Sequence, residues 1–452
     1  MVAAMTSKMG PGSPLNEFGT AFGLTAAALL FLQFLSSGRY ESLSGRVGID
    51  RTMGFHRIAA YVLLGFVLLH PLSYSATSFL SNPRAALNHL TAMLLSDRLR
   101  TGVVAMAGLI IMVGLATFRS RPFMRYEYWR ASHGLFAIAV TTLALHHLLV
   151  VGNYSAEQPL RLLWFLFASV ALVAIGLVYI VRPWHMWRED WRVEHVRPLG
   201  ELIWEMMLRG PDTTRLRFRP GQFIWMTLTP HRPPFHDHPL SIASSPTDLP
   251  RLRLVIREVG DCTCGFGHIE PGTRVAVDGP HGSFVLPEGK RPVIMVAGGV
   301  GIAPLLGMLE EAAANRDARA FRLLYAARSP SALAGLERLR ELQSSLDLSI
   351  QCVVDEGAEG SGCSVGPIGP MHVSQLLKGA HRQDVVCLVC GPAVMMEFVT
   401  DAFLAERVPA SAIRYERFDY AAGKGRLDQA RRREALFVFL VLMMGIAAFS
   451  LR

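Results

Sequence analysis

Apolar residues in this chain follow three different patterns. Stretches 17–37, 54–77, 99–118, 129–151 and 160–181 are apolar for lengths that match a bilayer core, which needs about 20 helical residues. From 191 to 288 the runs shorten to strand length and are punctuated by Gly and Pro. Residues 193–196, 202–208, 223–228, 252–256 and 274–277 are predicted strands, as in a small antiparallel barrel. From Arg291 strand and helix alternate: 293–297, 321–326 and 385–389 read as strands and 303–314 as a helix. That alternation implies a parallel sheet with helices on both faces. A charged linker, 421–434, ends in Arg431-Arg432-Arg433 and leads to a shorter apolar stretch, 435–450. The expected fold is a membrane α-helical bundle of five N-terminal helices with a sixth at the C-terminus. It carries an antiparallel β-barrel and an α/β parallel-sheet domain.

Composition sharpens this division. The mean hydropathy of +0.31 is high for a soluble protein, but the excess sits before about residue 182 and after 434. The net charge of +9 comes with no basic run interleaved with aromatics, so no nucleic-acid partner is expected. The arginines border the apolar stretches instead. Arg39, Arg46 and Arg51, then Arg119, Arg121 and Arg125, then Arg182 and Arg188 mark one side; Arg84, Arg98, Arg100 and Arg161 are spread over the other. The positive-inside rule makes the richer side cytoplasmic, with the N-terminus outside and everything after Arg182 in the cytosol. Lys8 is the only basic residue before the first stretch, which lacks the pattern of a cleaved signal and is expected to persist as a helix. The six cysteines all lie in the polar part, at spacings that demand neither disulfides nor zinc, and a reducing cytosol suits them.

Histidines inside membrane helices are costly unless they bind something. His56 and His70 are fourteen residues apart, which on an ideal helix is about 21 Å along and roughly 40° round. His133 is followed by His146 and His147 on another helix that runs in the same direction. Two levels of facing imidazoles would suit two stacked haems, His56 with His133 and His70 with the second histidine of the partner helix. Ideal geometry favours His147, again fourteen along; His146 is thirteen along and roughly 140° off that face.

Two further segments carry candidate cofactor chemistry. His238-Pro239-Leu240-Ser241 follows a strand and offers an extended backbone to a flavin ring edge, with the Ser241 hydroxyl near its reactive nitrogen. Arg257 and the turn holding Gly260 and Thr263 offer a cation and backbone N–H groups to the flavin pyrophosphate. Gly298-Gly299-Val300-Gly301-Ile302-Ala303-Pro304 follows an apolar strand and opens a helix. Gly299 and Gly301 let a nucleotide pyrophosphate approach the helix N-terminus, and Pro304 occupies its first turn. Arg328 and Ser329 end the next strand where a 2′-phosphate would lie, favouring NADPH, with NADH as the alternative. Cys390 and Gly391 end a buried strand where a parallel sheet places its ligands. Cys387 completes a C-x-x-C with Cys390 but reads as core.

As a set, these motifs resemble the ferric reductase and NADPH oxidase superfamily, especially bacterial membrane members fused to a ferredoxin-reductase-like module. Asp278-Gly279-Pro280-His281-Gly282-Ser283-Phe284 is a further part of the resemblance. It implies a transmembrane di-haem domain (1–190), an FAD-binding β-barrel (191–288), an NAD(P)-binding α/β domain (289–420), and a linker with a C-terminal hydrophobic helix (421–452). It also implies FAD, NADPH and two b-type haems on His56, His70, His133 and His146, taking the shorter spacing over ideal geometry. Ser241 and Cys390 would act at the hydride-transfer site, with Tyr420, or alternatively Phe418, covering the flavin ring. The expected activity is electron transfer across the cell (inner) membrane to a small-molecule acceptor on the outer face, dioxygen or a ferric chelate. A quinone or a periplasmic redox partner is the alternative acceptor; a non-enzymatic haem-binding sensor or scaffold is the rival reading. The chain departs from the family in having five helices, not six, before the barrel, and in continuing into a hydrophobic tail.

Overall fold

The computed structural model describes residues 12–37, 48–118, 126–228, 237–258, 265–416 and 425–451. It divides into two compact units. The first is Met1–Tyr40, Thr52–Val181 and Arg432–Arg452; the second is Glu41–Arg51 with Arg182–Arg431.

The helices of the first unit are α1 (Pro14–Leu35), α2 (Ile49–Ser81), α3 (Pro83–Leu95), α4 (Arg100–Thr117), α5 (Tyr126–Val151) and α6 (Gln158–Gly176). A short π-helical segment, Leu177–Val181, links α6 to α7 (Arg182–Arg188), which belongs with the second unit. Among the described residues six helical segments are long and apolar enough to cross a membrane: Pro14–Leu35, Arg51–Ala76, Asp97–Thr117, Tyr128–Val151, Gln158–Arg188 and Arg426–Ser450. Large apolar side chains such as Leu135, Leu172 and Phe437 remain exposed, as expected where lipid replaces water. One polar exception faces inward. Glu17 is buried at 4% exposure and accepts hydrogen bonds from the Tyr154 hydroxyl at 2.9 and 3.0 Å.

The sixth span bears out the expected C-terminal helix and corrects where it begins. Helix begins at Arg426, so most of the stretch read as a linker is the start of a 25-residue helix, Arg426–Ser450. Its apolar end also joins the bundle core. Ile446 and Phe449 are fully buried, Phe449 meets Tyr154 edge-on at 5.8 Å, and Phe439 stacks on Phe66 at 6.3 Å. The tail therefore packs as the sixth bundle helix that the sequence predicts, and Arg432–Arg452 group with the first unit. Between the second and third apolar stretches lies a further helix, α3. Asn82 caps α3 by accepting from Ala85 N–H at 3.1 Å, Pro83 opens its first turn, and the Ser75 hydroxyl ties it to α2 through His89 Nδ1 at 2.9 Å.

In the second unit, β1 (Trp191–Gly200), β2 (Ile203–Arg209), β3 (Phe223–Thr227), β4 (His238–Ser241), β5 (Arg251–Arg257) and β6 (Arg274–His281) form an antiparallel sheet in the order β4-β3-β6-β1-β2-β5. A bridge between Ile242 and Leu254 joins its two ends and closes the barrel. The expected parallel sheet follows: β7 (Val293–Gly298), β8 (Phe321–Ala327), β9 (Leu348–Val354), β10 (Ser364–Val365), β11 (Val386–Cys390) and β12 (Ile413–Glu416), in the order β10-β9-β8-β7-β11-β12. Helices α8 (Ile302–Ala314) and α9 (Leu336–Leu342) accompany one apolar cluster; α10 (Pro370–Leu376) and α11 (Ala393–Ala405) accompany another. The C-terminal helix is therefore α12.

Barrel and sheet are joined by a buried ion network. Glu310 of α8, 6% exposed, takes Arg253 Nη1 at 2.6 Å and Arg338 Nε at 3.0 Å, while Arg253 also reaches Glu205 at 3.4 Å. Ser245 donates to Glu311 beside it. Removing one partner of such a pair strands the other charge. Glu310→Ala is expected to cost roughly 3 kcal/mol and to lower the unfolding midpoint, followed by tryptophan fluorescence, by roughly 6–12 °C.

Candidate functional site: two histidine pairs and a crevice at the sheet switch point

Helices α2 and α5 bring four imidazoles together as two pairs. His56 and His133 have ring centres 6.3 Å apart; those of His70 and His147 are 6.5 Å apart. The expectation that His146 faces His70 is corrected. α5 is unbroken α-helix, so a position thirteen residues beyond His133 points away from the His133 face. The His146 side chain is exposed instead, with Nδ1 3.3 Å from the Thr101 hydroxyl.

The surroundings of the pairs leave one ring nitrogen of each described contact committed and the other directed elsewhere. His70 Nδ1 donates to the Gly19 carbonyl at 2.6 Å, which fixes the tautomer with a lone pair on Nε2. His56 Nδ1 lies 3.2 Å from the Ser36 hydroxyl, and Gln33 Nε2 donates to the His56 carbonyl at 3.0 Å. The Trp129 ring lies 5.4 Å from that of His133. Two glycines make room for the second pair: a Cβ at residue 23 would come within 2.8 Å of the His70 ring, and one at residue 102 within 2.6 Å of the His147 ring. Neither glycine is marked by a sequence motif, because each faces a histidine on another helix.

Two imidazoles on opposite sides of one metal place their ring centres about 6 Å apart, given a metal–nitrogen bond of about 2 Å and roughly 1 Å more to each ring centre. Both observed separations fit. Among the described residues no cluster of three or more His, Cys, Asp or Glu is placed to hold a metal ion. A pair of facing imidazoles would fit an iron whose remaining ligands come from a macrocycle, as in haem.

In the second unit, β8 lies on one side of β7 and β11 on the other, so the strand order reverses at β7. Ligands of such sheets bind beyond the carboxyl ends of the strands at this point. The residues there are those the sequence singled out. Gly299-Val300-Gly301 turns between β7 and α8, with Gly299 at φ +51° and Pro304 buried in the first turn of α8. A Cβ at Gly301 would lie 2.3 Å from the Cys390 carbonyl, so only glycine allows turn and strand end to touch. Gly391 follows directly.

Barrel residues reach the same crevice. His238, Pro239, Leu240 and Ser241 form β4, with Ser241 opposite Phe223 and buried. The next residues, 242–244, lie against Gly307 of α8. The Gln222 amide donates to the Gly282 carbonyl at 3.0 Å, and Gly282 lies against the Phe223 ring and the Glu416 carboxylate. Glu416 of β12, 5% exposed, pairs in register with Cys390. Burial pushes the Cys390 thiol up and the Glu416 charge pushes it further, so it stays protonated at neutral pH. Sequence reasoning passed over Glu416; an acid ending an apolar final strand was the available signal. Cys387 packs on the opposite face of the sheet, its thiol pushed up by burial to about 12, and the C-x-x-C does not converge.

Arg257 is exposed at the end of β5. Gly260, Thr263, Phe418 and Tyr420 lie outside the described residues. Ser329 and Arg328 follow β8, and Arg328 Nε already donates to Glu356 at 2.8 Å, with both side chains exposed.

The sequence comparisons agree with these two units. Residues 22–144 match the model of the ferric reductase like transmembrane component, and residues 295–401 match that of the oxidoreductase NAD-binding domain. The chain belongs to the ferric reductase-like membrane proteins fused to a ferredoxin-reductase-like module. It is similar to the propane 2-monooxygenase reductase component of Mycolicibacterium goodii, 27% identical over 49% of this chain and 65% of the relative. It is also similar to the probable dihydroorotate dehydrogenase B (NAD(+)) electron transfer subunit of Pyrococcus abyssi, 32% identical over 44% of this chain and 70% of the relative. The chain spans just under two thirds of the length of the propane monooxygenase reductases it matches. Among solved structures, a cytochrome P450 reductase from Amycolatopsis is 23% identical, covers 51% of this chain and 69% of that chain, and has a TM-score of 0.45. The ferric reductase-like protein is thus an integral membrane oxidoreductase with a pyridine-nucleotide-binding module.

Proposed function

We propose that this protein carries electrons from NADPH, through FAD and two b-type haems, to an acceptor on the outer face of the cell (inner) membrane, dioxygen or a ferric chelate. The observation that carries this reading is the pair of facing imidazoles at each of two levels of the bundle, 6.3 and 6.5 Å apart. When bound, FAD turns a two-electron hydride donor into a one-electron donor, and haem iron takes and gives single electrons.

The residues have distinct tasks. His56 with His133, and His70 with His147, would hold the two haem irons. Ser36 and the Gly19 carbonyl hold ring nitrogens of His56 and His70 and so orient the opposite nitrogens. The α8 N-terminus and Gly299-Val300-Gly301 would take the nucleotide pyrophosphate. Ser241, protonated Cys390 and Glu416 line the place where nicotinamide and flavin would meet, and the apolar wall around Phe223 keeps water out. With the N-terminus outside and Arg182–Arg431 cytoplasmic, the His56 level lies nearer the cytosol. The lipid bilayer surrounds the bundle, and the partner is a small-molecule acceptor.

Anaerobic addition of NADPH to the purified protein tests the reading. The haem absorption bands are expected to shift to the reduced form and to return on exposure to oxygen or ferric citrate. Bands that never reduce, or a preparation without haem, would refute it.

Nucleotide choice gives a separate expectation. Glu356 occupies the guanidinium that a 2′-phosphate needs, through an exposed pair worth under about 1 kcal/mol. Glu356→Gln should therefore lower the KM for NADPH by up to about five-fold and leave that for NADH nearly unchanged, measured by steady-state ferricyanide reduction.

A further inference from the structure

Two cysteines that the proposed electron path does not use lie side by side at the sheet edge. β10 runs parallel to β9 with Ser364 opposite Val353 and Val365 opposite Val354. One residue earlier, the same register sets Cys363 against Cys352. Neighbouring strands run about 4.8 Å apart, inside the Cα separation of roughly 4.4–6.8 Å that a disulfide spans. The Cys363 thiol is near enough to disfavour the Cys352 thiolate, both side chains pack against one apolar cluster, and neither is fully buried.

The loop between them touches the nucleotide strand. Glu356 N–H donates to the Arg328 carbonyl at 3.0 Å, Asp355 N–H to the Ala327 carbonyl at 3.3 Å, and the Glu356 carboxylate holds the Arg328 guanidinium. Gly357, Gly360 and Gly362 all have positive φ, so the loop doubles back tightly. Its conformation therefore decides whether Glu356 stays on Arg328.

We propose that Cys352 and Cys363 form a reversible oxidation site, which closes to a disulfide under a peroxide and clamps the loop so that Glu356 keeps Arg328 engaged. Peroxide oxidises one thiol to the sulfenic acid and leaves as water; the second thiol displaces the sulfenic hydroxyl as a second water while the S–S bond forms. Two thiols lose two protons and two electrons, and the peroxide takes both. Burial, and then the neighbouring thiol, push Cys352 up to about 11, which disfavours Cys352 as the first nucleophile.

The full-length protein is treated with hydrogen peroxide, its free thiols are alkylated, and its peptides are mapped by mass spectrometry. A Cys352–Cys363 cross-linked peptide is expected, lost after dithiothreitol and absent from both Cys363→Ser and Cys352→Ser. Recovery of both cysteines alkylated, or links to other cysteines, overturns the site. This arm is independent of the proposed function. The second arm rests on that function: the KM for NADPH in ferricyanide reduction should rise several-fold on oxidation, recover with dithiothreitol, and stay constant in Cys363→Ser. A bond that forms without moving this KM overturns the clamp.

Discussion

Replacing His147 with alanine is expected to lower the haem content of the purified protein from two per chain to one, whereas His146→Ala keeps both. The two residues are adjacent in sequence, and the α-helix separates them by about 100°. His147 points at His70 and is backed by Gly102, while His146 reaches out to Thr101. On the proposed reading His147 would supply one of only two protein bonds to its haem iron. The loss should therefore be nearly complete for one haem and negligible for the other, which the His56 and His133 level would hold independently. Gly102→Val should reproduce the loss without touching a ligand, because a Cβ there would come within 2.6 Å of the His147 ring. Haem is counted against protein by alkaline pyridine spectra. Loss in His146→Ala with retention in His147→Ala would overturn the pairing.

Removal of residues 426–452 is expected to have the second large effect, again at the level of His70. α12 reaches that level by two routes. Phe449 packs on Tyr154, whose hydroxyl is held by Glu17, two residues before the Gly19 carbonyl that orients His70. Phe439 stacks on Phe66, one turn before His70. Lipid can replace the apolar contacts, so the bundle should still insert, but it cannot reproduce a fixed packing surface. The truncated protein should retain one haem at the His56 level and lose most of the other, with Phe449→Ala giving a partial loss. Full retention of both haems would show that α12 is only an anchor.

Much of the architecture was readable from periodicity. Apolar runs of bilayer length placed five spans, and short runs bounded by Gly and Pro placed most of the barrel strands. The strand–glycine–helix sequence around Gly299 located the switch-point turn, because each of these signals is carried by residues close together in the chain. The C-terminal helix was only partly readable. Arginines at its start masked helix whose packing begins several turns later. α3 is announced only by its start signal, Asn82-Pro83, because it is too short to show as an apolar stretch of bilayer length. Glu416 was passed over because its importance comes from parallel pairing with Cys390, a contact with no sequence spacing to announce it.

The sequence alone determined the membrane-spanning and polar parts, the fold class, and the fourteen-residue spacing that sets two levels of histidine on α2. Such features depend on local geometry, on 1.5 Å of rise per helical residue and on alternation along strands. Only the tertiary structure decided between His146 and His147, placed Gly23 and Gly102 behind the second imidazole pair, and seated α12 in the bundle. Each of these depends on which face of one helix meets another, and that is fixed by packing between segments far apart in the chain.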